Sequence, residues 1–85
     1  MYLCTVPDHA LNNAVAAELN DLRLKERRTY EEIAAAAGIS LISAKRYLAG
    51  SRGIPIDVLG ALALYLGDDP VAVFTRATAR VQRND

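Results

Sequence analysis

The sequence predicts an all-α domain of five short helices without strands. Three observations predict it: apolar residues recur at helical spacing in segment after segment, most segments are bounded by glycine, proline or a small hydroxyl residue, and 52% of the 85 residues are hydrophobic, enough to furnish a helical core. A chain of this length buries a smaller share of its surface than a larger one, so one domain with a modest core is expected over residues 1–85. Its packed part is placed at about 11–75, with 1–7 as an N-terminal arm and 76–85 as a C-terminal helix extension.

Pro7 and Asp8 open the first helix, and Leu11, Val15, Leu19 and Leu22 follow at helical spacing up to the charged run Lys25-Glu26-Arg27-Arg28. Thr29 is the expected N-cap of the second helix, with Glu32 at the capping-box distance and both Glu31 and Glu32 at the positive end of the helix dipole. That helix runs from about Tyr30 to Ala37. Gly38 tolerates the positive φ of a helix end, and Ser40 caps a third helix two residues later, from about Leu41 to Ala49. Gly50 stops it, and Ser51-Arg52-Gly53 form a loop. The fourth helix begins near Pro55. Leu59, Leu62, Ala63 and Leu66 keep its period while Val58, Ala61, Leu64 and Tyr65 make its other faces apolar, so it is expected to be largely enclosed before Gly67 ends it. Asp69 caps the last helix with Pro70 in its first position, and Phe74, Ala77 and Val81 mark one face up to about Gln82. Ala34 to Ala37 read as a small-residue packing surface toward the third helix. Met1 to Val6 read as either a short strand or an arm.

Cys4 and His9 are the sole cysteine and histidine, which leaves no internal disulfide and no multi-ligand Cys/His metal site within one chain. No metal or other cofactor and no small-molecule ligand is expected. Nor does the sequence offer paired carboxylates at a plausible pocket, a nucleophile with its histidine, or a glycine-rich phosphate loop, so no enzyme is predicted. No apolar run approaches the roughly 20 residues of a membrane span, and Met1-Tyr2-Leu3-Cys4 lacks the basic start of a signal peptide. A cytoplasmic protein is expected. Net charge is zero, which opposes phosphate binding unless the charges are segregated. They are: between Asp21 and Arg52, seven bases (Arg23, Lys25, Arg27, Arg28, Lys45, Arg46, Arg52) face four acids, whereas Asp57, Asp68 and Asp69 lie beyond. A locally basic face follows. Arg76, Arg80 and Arg83 share a face of the last helix; a solvated terminal helix explains them as well as a grip on phosphate, and they are left outside the site. Tyr47 and Tyr65 read as core or interface residues.

The stretch from Thr29 to Gly50 has the layout of a DNA-reading helix-turn-helix. Ile33 and Ala34 face the core from the second helix, Gly38 permits the sharp turn, Ile39 plugs the angle between helices, and Ser40 lets the third helix start at once. On that helix Ala44, Tyr47 and Leu48 lie on one face and Ile42, Lys45, Arg46 and Ala49 on another. The free face is the part suited to a major groove.

These residues, together with Leu19 and Arg23, the loop ending at Pro55, and Leu66-Gly67-Asp68-Asp69-Pro70, make the chain from about Leu19 to Phe74 resemble the Cro/C1-type, or XRE, helix-turn-helix family. The resemblance implies a five-helix, lambda-repressor-like domain that binds double-stranded operator DNA as a two-fold dimer. It further implies that Leu41, Ile42, Ser43, Lys45 and Arg46 face the DNA, with Ser40 at the start of the reading helix, and that Thr29 and Tyr30 and the loop residues Ser51 and Arg52 touch phosphates. A Cro-like phage or bacterial repressor fits best, regulated by concentration or partners since no second domain is present. An antitoxin or excision factor comes next. Three departures stand out. Tyr30 replaces the glutamine common in relatives. Leu48 replaces a glutamate that would pair with Arg23, so Arg23 needs another partner. Leu41 and Ile42 are apolar where polar readers are common, which shifts readout toward thymine methyl groups.

A protein-interaction module of the same fold, an antirepressor or antitoxin-like adaptor, is the alternative. Leu41 and Ile42 favour it, and Lys45, Arg46 and Arg52 oppose it. Dimerisation is expected through the fourth and last helices, with Val58, Tyr65 and Val73 in the interface.

Overall fold

Each segment with a helical period forms a helix: α1 (Ala10–Lys25), α2 (Tyr30–Ala37), α3 (Leu41–Ala49), α4 (Ile56–Tyr65) and α5 (Pro70–Arg83). The computed structural model describes residues 10–83, and no strand occurs among them. The expected opening at Pro7 and Asp8, the arm over 1–7, Cys4, His9 and the side chain of Arg83 lie outside the described residues.

α1 packs against α3 and α5, α2 against α3 and α4, and α4 against α5. Leu19, Ile33, Leu62, Leu66 and Val73 are fully buried where these helices meet, each contributing about 1.5–3 kcal/mol of burial. The stripe on α1 is Ala14, Val15 and Leu19, with Leu22 packed at its edge. α1 ends without a glycine. Arg27 takes a left-handed φ of 56°, at a cost of roughly 1–2 kcal/mol for an L side chain. The turn closes when Arg28 N donates to the Arg23 carbonyl (3.0 Å) and Arg27 N to that of Leu24 (3.2 Å). Asp69 caps α5 as expected, accepting from Val71 N at 3.0 Å.

Four expectations need correction. Val73, expected in an interface, is fully buried in the core. α4 is not enclosed all round, since Ile56 is 81% and Leu64 68% exposed. In the alanine run, Ala34 is buried and Ala37 half-buried, but Ala35 and Ala36 face solvent. Arg76 and Arg80 are neither simply solvated nor open to phosphate. They converge on Glu18 of α1, whose side chain is only 11% exposed. Arg76 Nε donates to Glu18 Oε1 at 2.8 Å, Arg80 Nε donates to Oε2, and the forks reach on to Asp68 and, at 2.7 Å, to Asp21. α5 is thereby pinned to α1. No single helix among the described residues is long and apolar enough to cross a membrane.

Burial pushes the Glu18 carboxyl up, but hydrogen bonds and charge from Arg76 and Arg80 outweigh it and hold the pKa below the ordinary value of 4.5. A lowered folded pKa means the interaction stabilises the fold above the unfolded value and is lost as pH falls through the folded one. Glu18→Gln is accordingly expected to lower stability at pH 7 by about 1–3 kcal/mol. The gap between variant and parent should narrow on acidification below 4.5. Urea unfolding across pH tests this, and a gap independent of pH contradicts it.

Candidate nucleic-acid interface

The helix-turn-helix is built from its ends. Thr29 Oγ1 accepts from Glu32 N at 3.1 Å and Glu32 Oε1 accepts from Thr29 N at 2.8 Å, the reciprocal capping box expected at the start of α2. Gly38, with φ of 69°, ends the helix. Gly38 N donates to the Ala35 carbonyl at 3.3 Å and Ile39 N to that of Ala34 at 3.0 Å. Ser40 Oγ then accepts from Ser43 N at 3.0 Å and starts α3.

With both ends fixed, α3 turns Ala44, Tyr47 and Leu48 into the core and leaves Ile42, Lys45, Arg46 and Ala49 exposed. Leu41 and Ser43 sit half-buried at the margin. The structure thus brings Ser40, Leu41, Ile42, Ser43, Lys45 and Arg46 together on one short helix and its cap. Lys45 and Arg46 have no acidic partner among the described residues, in contrast to Arg28, which reaches Glu32 at 3.7 Å, and to Arg76 and Arg80.

The loop after α3 is clamped from α1. Asn12 Nδ2 donates to the Arg52 carbonyl (3.1 Å) and Ile54 N donates to Asn12 Oδ1 (2.9 Å). Arg52 lies back along α3, its guanidinium 5.7 Å from the centroid of the Tyr47 ring and its Nη1 donating to Ser43 Oγ at 3.3 Å. Ser51 is occupied otherwise: its N–H and its hydroxyl both donate to the Arg46 carbonyl, at 3.1 and 3.2 Å, and finish α3. Sequence reasoning missed Asn12, since nothing near it signals a partner 40 residues away.

Thr29 and Tyr30 stand at the start of α2, on a different element. The Tyr30 ring is half-buried, and the Arg23 guanidinium stacks 4.3 Å from its centroid. Arg23 also donates from Nε to Asn20 Oδ1 (3.1 Å) and from Nη1 to the Arg28 carbonyl (3.2 Å). The partner that Arg23 was expected to need is therefore the Tyr30 face, together with Asn20 and the Arg28 carbonyl.

Five helices in this order, with α2 and α3 joined by a three-residue turn and the outer face of α3 free, define a lambda-repressor-like helix-turn-helix fold. A solved structure with the same fold is that of the clp gene regulator ClgR from Corynebacterium glutamicum. It is 22% identical in sequence and superposes with a TM-score of 0.82 over 92% of this chain and 83% of that one. The sequence matches no family model and no curated protein.

Gly38 and Gly50 both hold a left-handed backbone, yet a Cβ added at Gly38 meets nothing within 4 Å while one at Gly50 falls 2.6 Å from Asn13 Oδ1. Gly38→Ala is expected to cost roughly 1–2 kcal/mol from backbone strain alone. Gly50→Ala should cost about the same, because the atom met is the free end of the exposed Asn13 side chain, which can swing aside. A loss at Gly50 much larger than at Gly38 in thermal unfolding contradicts this assignment.

Proposed function

We propose that this protein is a sequence-specific regulator of transcription that inserts α3 into the major groove of double-stranded DNA as a Cro-like repressor. The observation that carries the reading is the outer face of α3, where Lys45 and Arg46 project without acidic partners beside the exposed Ile42. Cations left unpaired by the fold are the ones available to neutralise phosphate and to read bases. The gene-regulating role of ClgR, which shares the fold, supports it.

In this reading Arg46 reads guanine, because a planar guanidinium matches the O6 and N7 acceptors bidentately. Ile42 and Leu41 offer apolar contact suited to a thymine methyl. Lys45, as a point charge, grips phosphate, together with Arg52 and the Tyr30 phenol. Thr29 and Ser51 already commit their hydroxyls to helix caps, so their contribution is to hold Tyr30 and Arg52 in place. A panel of operators changed one base pair at a time tests the central assignment. Arg46→Ala should remove discrimination of about 1–3 kcal/mol at one G·C pair per half-site, with Arg46→Lys restoring part of it; uniform weakening at every position places Arg46 on phosphate instead.

One recognition helix covers only a few base pairs, so the bound form is a homodimer with two half-sites. α4 and α5 supply the pairing face. Ile56 and Phe74 are exposed there on the rim of an apolar groove of about 370 Å³ that Leu11, Val15, Ile54 and Leu59 also line. Light scattering on operator DNA should give a mass of two chains per duplex, and a single half-site footprint with monomer mass contradicts it. Failure of the wild type to bind any duplex at low salt favours the interaction module.

A further inference from the structure

The loop that carries Arg52 is fastened on both sides, and its loose point lies between. Upstream, the N–H and the hydroxyl of Ser51 both donate to the Arg46 carbonyl and bind the loop to α3. Downstream, Pro55 disfavours helical backbone at Ile54 and keeps the approach to α4 stiff. Gly53 stands in the middle, exposed, with nothing within 4 Å of where a Cβ would sit, and glycine is the residue that leaves a loop the most conformational freedom. Asn12 spans it. Its Nδ2 donates to the Arg52 carbonyl at 3.1 Å, and Ile54 N donates to its Oδ1 at 2.9 Å. A carbonyl on one side and an N–H on the other leave the amide a single orientation.

We infer that Asn12 is a positioning residue for the DNA contact of Arg52: by spanning Gly53 it fixes the arginine on the flank of α3 before any duplex is met. The inference rests on the DNA-binding reading of α3 and adds to it a residue of α1 that stands outside the interface. With its backbone held, Arg52 lies over the ring of Tyr47, a residue buried in the core face of α3, and donates from Nη1 to Ser43 Oγ in the first turn of that helix. The charge is thus registered against the residues that meet base edges. A long side chain on a loose loop must be ordered when it binds, and that cost is subtracted from affinity. Asn12 removes the cost in advance. Released from Asn12, the loop still carries the charge, but Gly53 lets it wander.

Affinity for a duplex that the wild type selects from a random library tests this in Asn12→Leu, Arg52→Met, the double variant, Gly53→Ala and Asn12→Leu/Gly53→Ala, each at a temperature where circular dichroism shows it folded. Leucine keeps the size of Asn12 without its hydrogen bonds. Asn12→Leu should weaken binding about two- to tenfold, the cost of ordering one long side chain, and alike at every base position. Arg52→Met should weaken it as well, and adding Asn12→Leu to Arg52→Met should change nothing further. The φ of Gly53 lies outside the left-handed region, so alanine fits there and narrows the freed backbone. Gly53→Ala should accordingly recover part of the loss in Asn12→Leu while changing the wild type by less than about twofold. Wild-type affinity in Asn12→Leu, or a loss as large in the Arg52→Met background as in the parent, overturns the inference while leaving DNA binding by α3 intact. A wild type that selects no duplex overturns the DNA-binding reading and this inference with it.

Discussion

Gly38 to Ser40 must end one helix and begin another within three residues, and the rest of the interface follows from how those two ends are satisfied. A left-handed Gly38 turns the chain back so that its own N–H and that of Ile39 close the open carbonyls of α2. Ser40 then supplies the acceptor that the first turn of α3 lacks. No freedom remains between the two helices, and Ile39 packs against the core at the bend. The rotation of α3 about its axis is set by that geometry. Once Ala44 and Leu48 are driven into the core, Ile42, Lys45 and Arg46 have nowhere to lie except outside.

α1 is the spine against which the remaining parts are registered, and it does this with polar side chains as much as with its apolar stripe. Asn12 fixes the loop after α3, Glu18 anchors α5 through Arg76 and Arg80, and Arg23 ties the turn into α2 and supports the Tyr30 ring. A small core tolerates rotation and sliding of its helices more readily than a large one, since few interdigitated side chains resist it. Directional contacts at successive turns of one helix oppose those motions. The arrangement explains why a net-neutral chain holds buried charge at Glu18, where a hydrophobic residue of similar size contributes burial but no fixed direction.

The sequence revealed what is local and concealed what is distant. Thr29 with Glu32, Gly38, Ser40 and Asp69 were readable because each cap is decided within four residues of chain. Asn12 and Glu18 were not, because their partners lie about 40 and 60 residues away and polar residues inside a helix carry no mark of what they meet. Glu18 did leave a trace. It stands at an i+3 and i+4 distance from Val15 and Ala14, on the apolar stripe of α1. The misplacement of Val73 has a simple geometric origin. The large ring of Phe74 drew the apolar face of α5 to 74, 77 and 81, whereas the buried line runs through Val73, Ala77 and the half-buried Val81. A shift of one residue is about 100° around a helix, enough to exchange an interface residue for a core one.

Net charge is the wrong quantity by which to judge this chain as a DNA binder, and the ion pairs show why. Arg76 and Arg80 are neutralised by Glu18, Asp21 and Asp68, and Arg28 by Glu32, so four of the ten acids are held inside the fold or far from α3. On α3 and the loop after it, Lys45, Arg46 and Arg52 enter none of these ion pairs, and in the proposed reading they are the cations that meet DNA. Affinity that depends on counterion release scales with the number of phosphates neutralised, and three cations per subunit, one of them assigned to a base, give a shallow dependence on salt. In the proposed reading non-specific binding is then weak, and discrimination comes from the first turns of α3 and from pairing of two subunits. In that reading an electroneutral chain is suited to finding a defined site with few contacts, and the apolar Leu41 and Ile42 fit that economy, since methyl contact adds discrimination without adding charge.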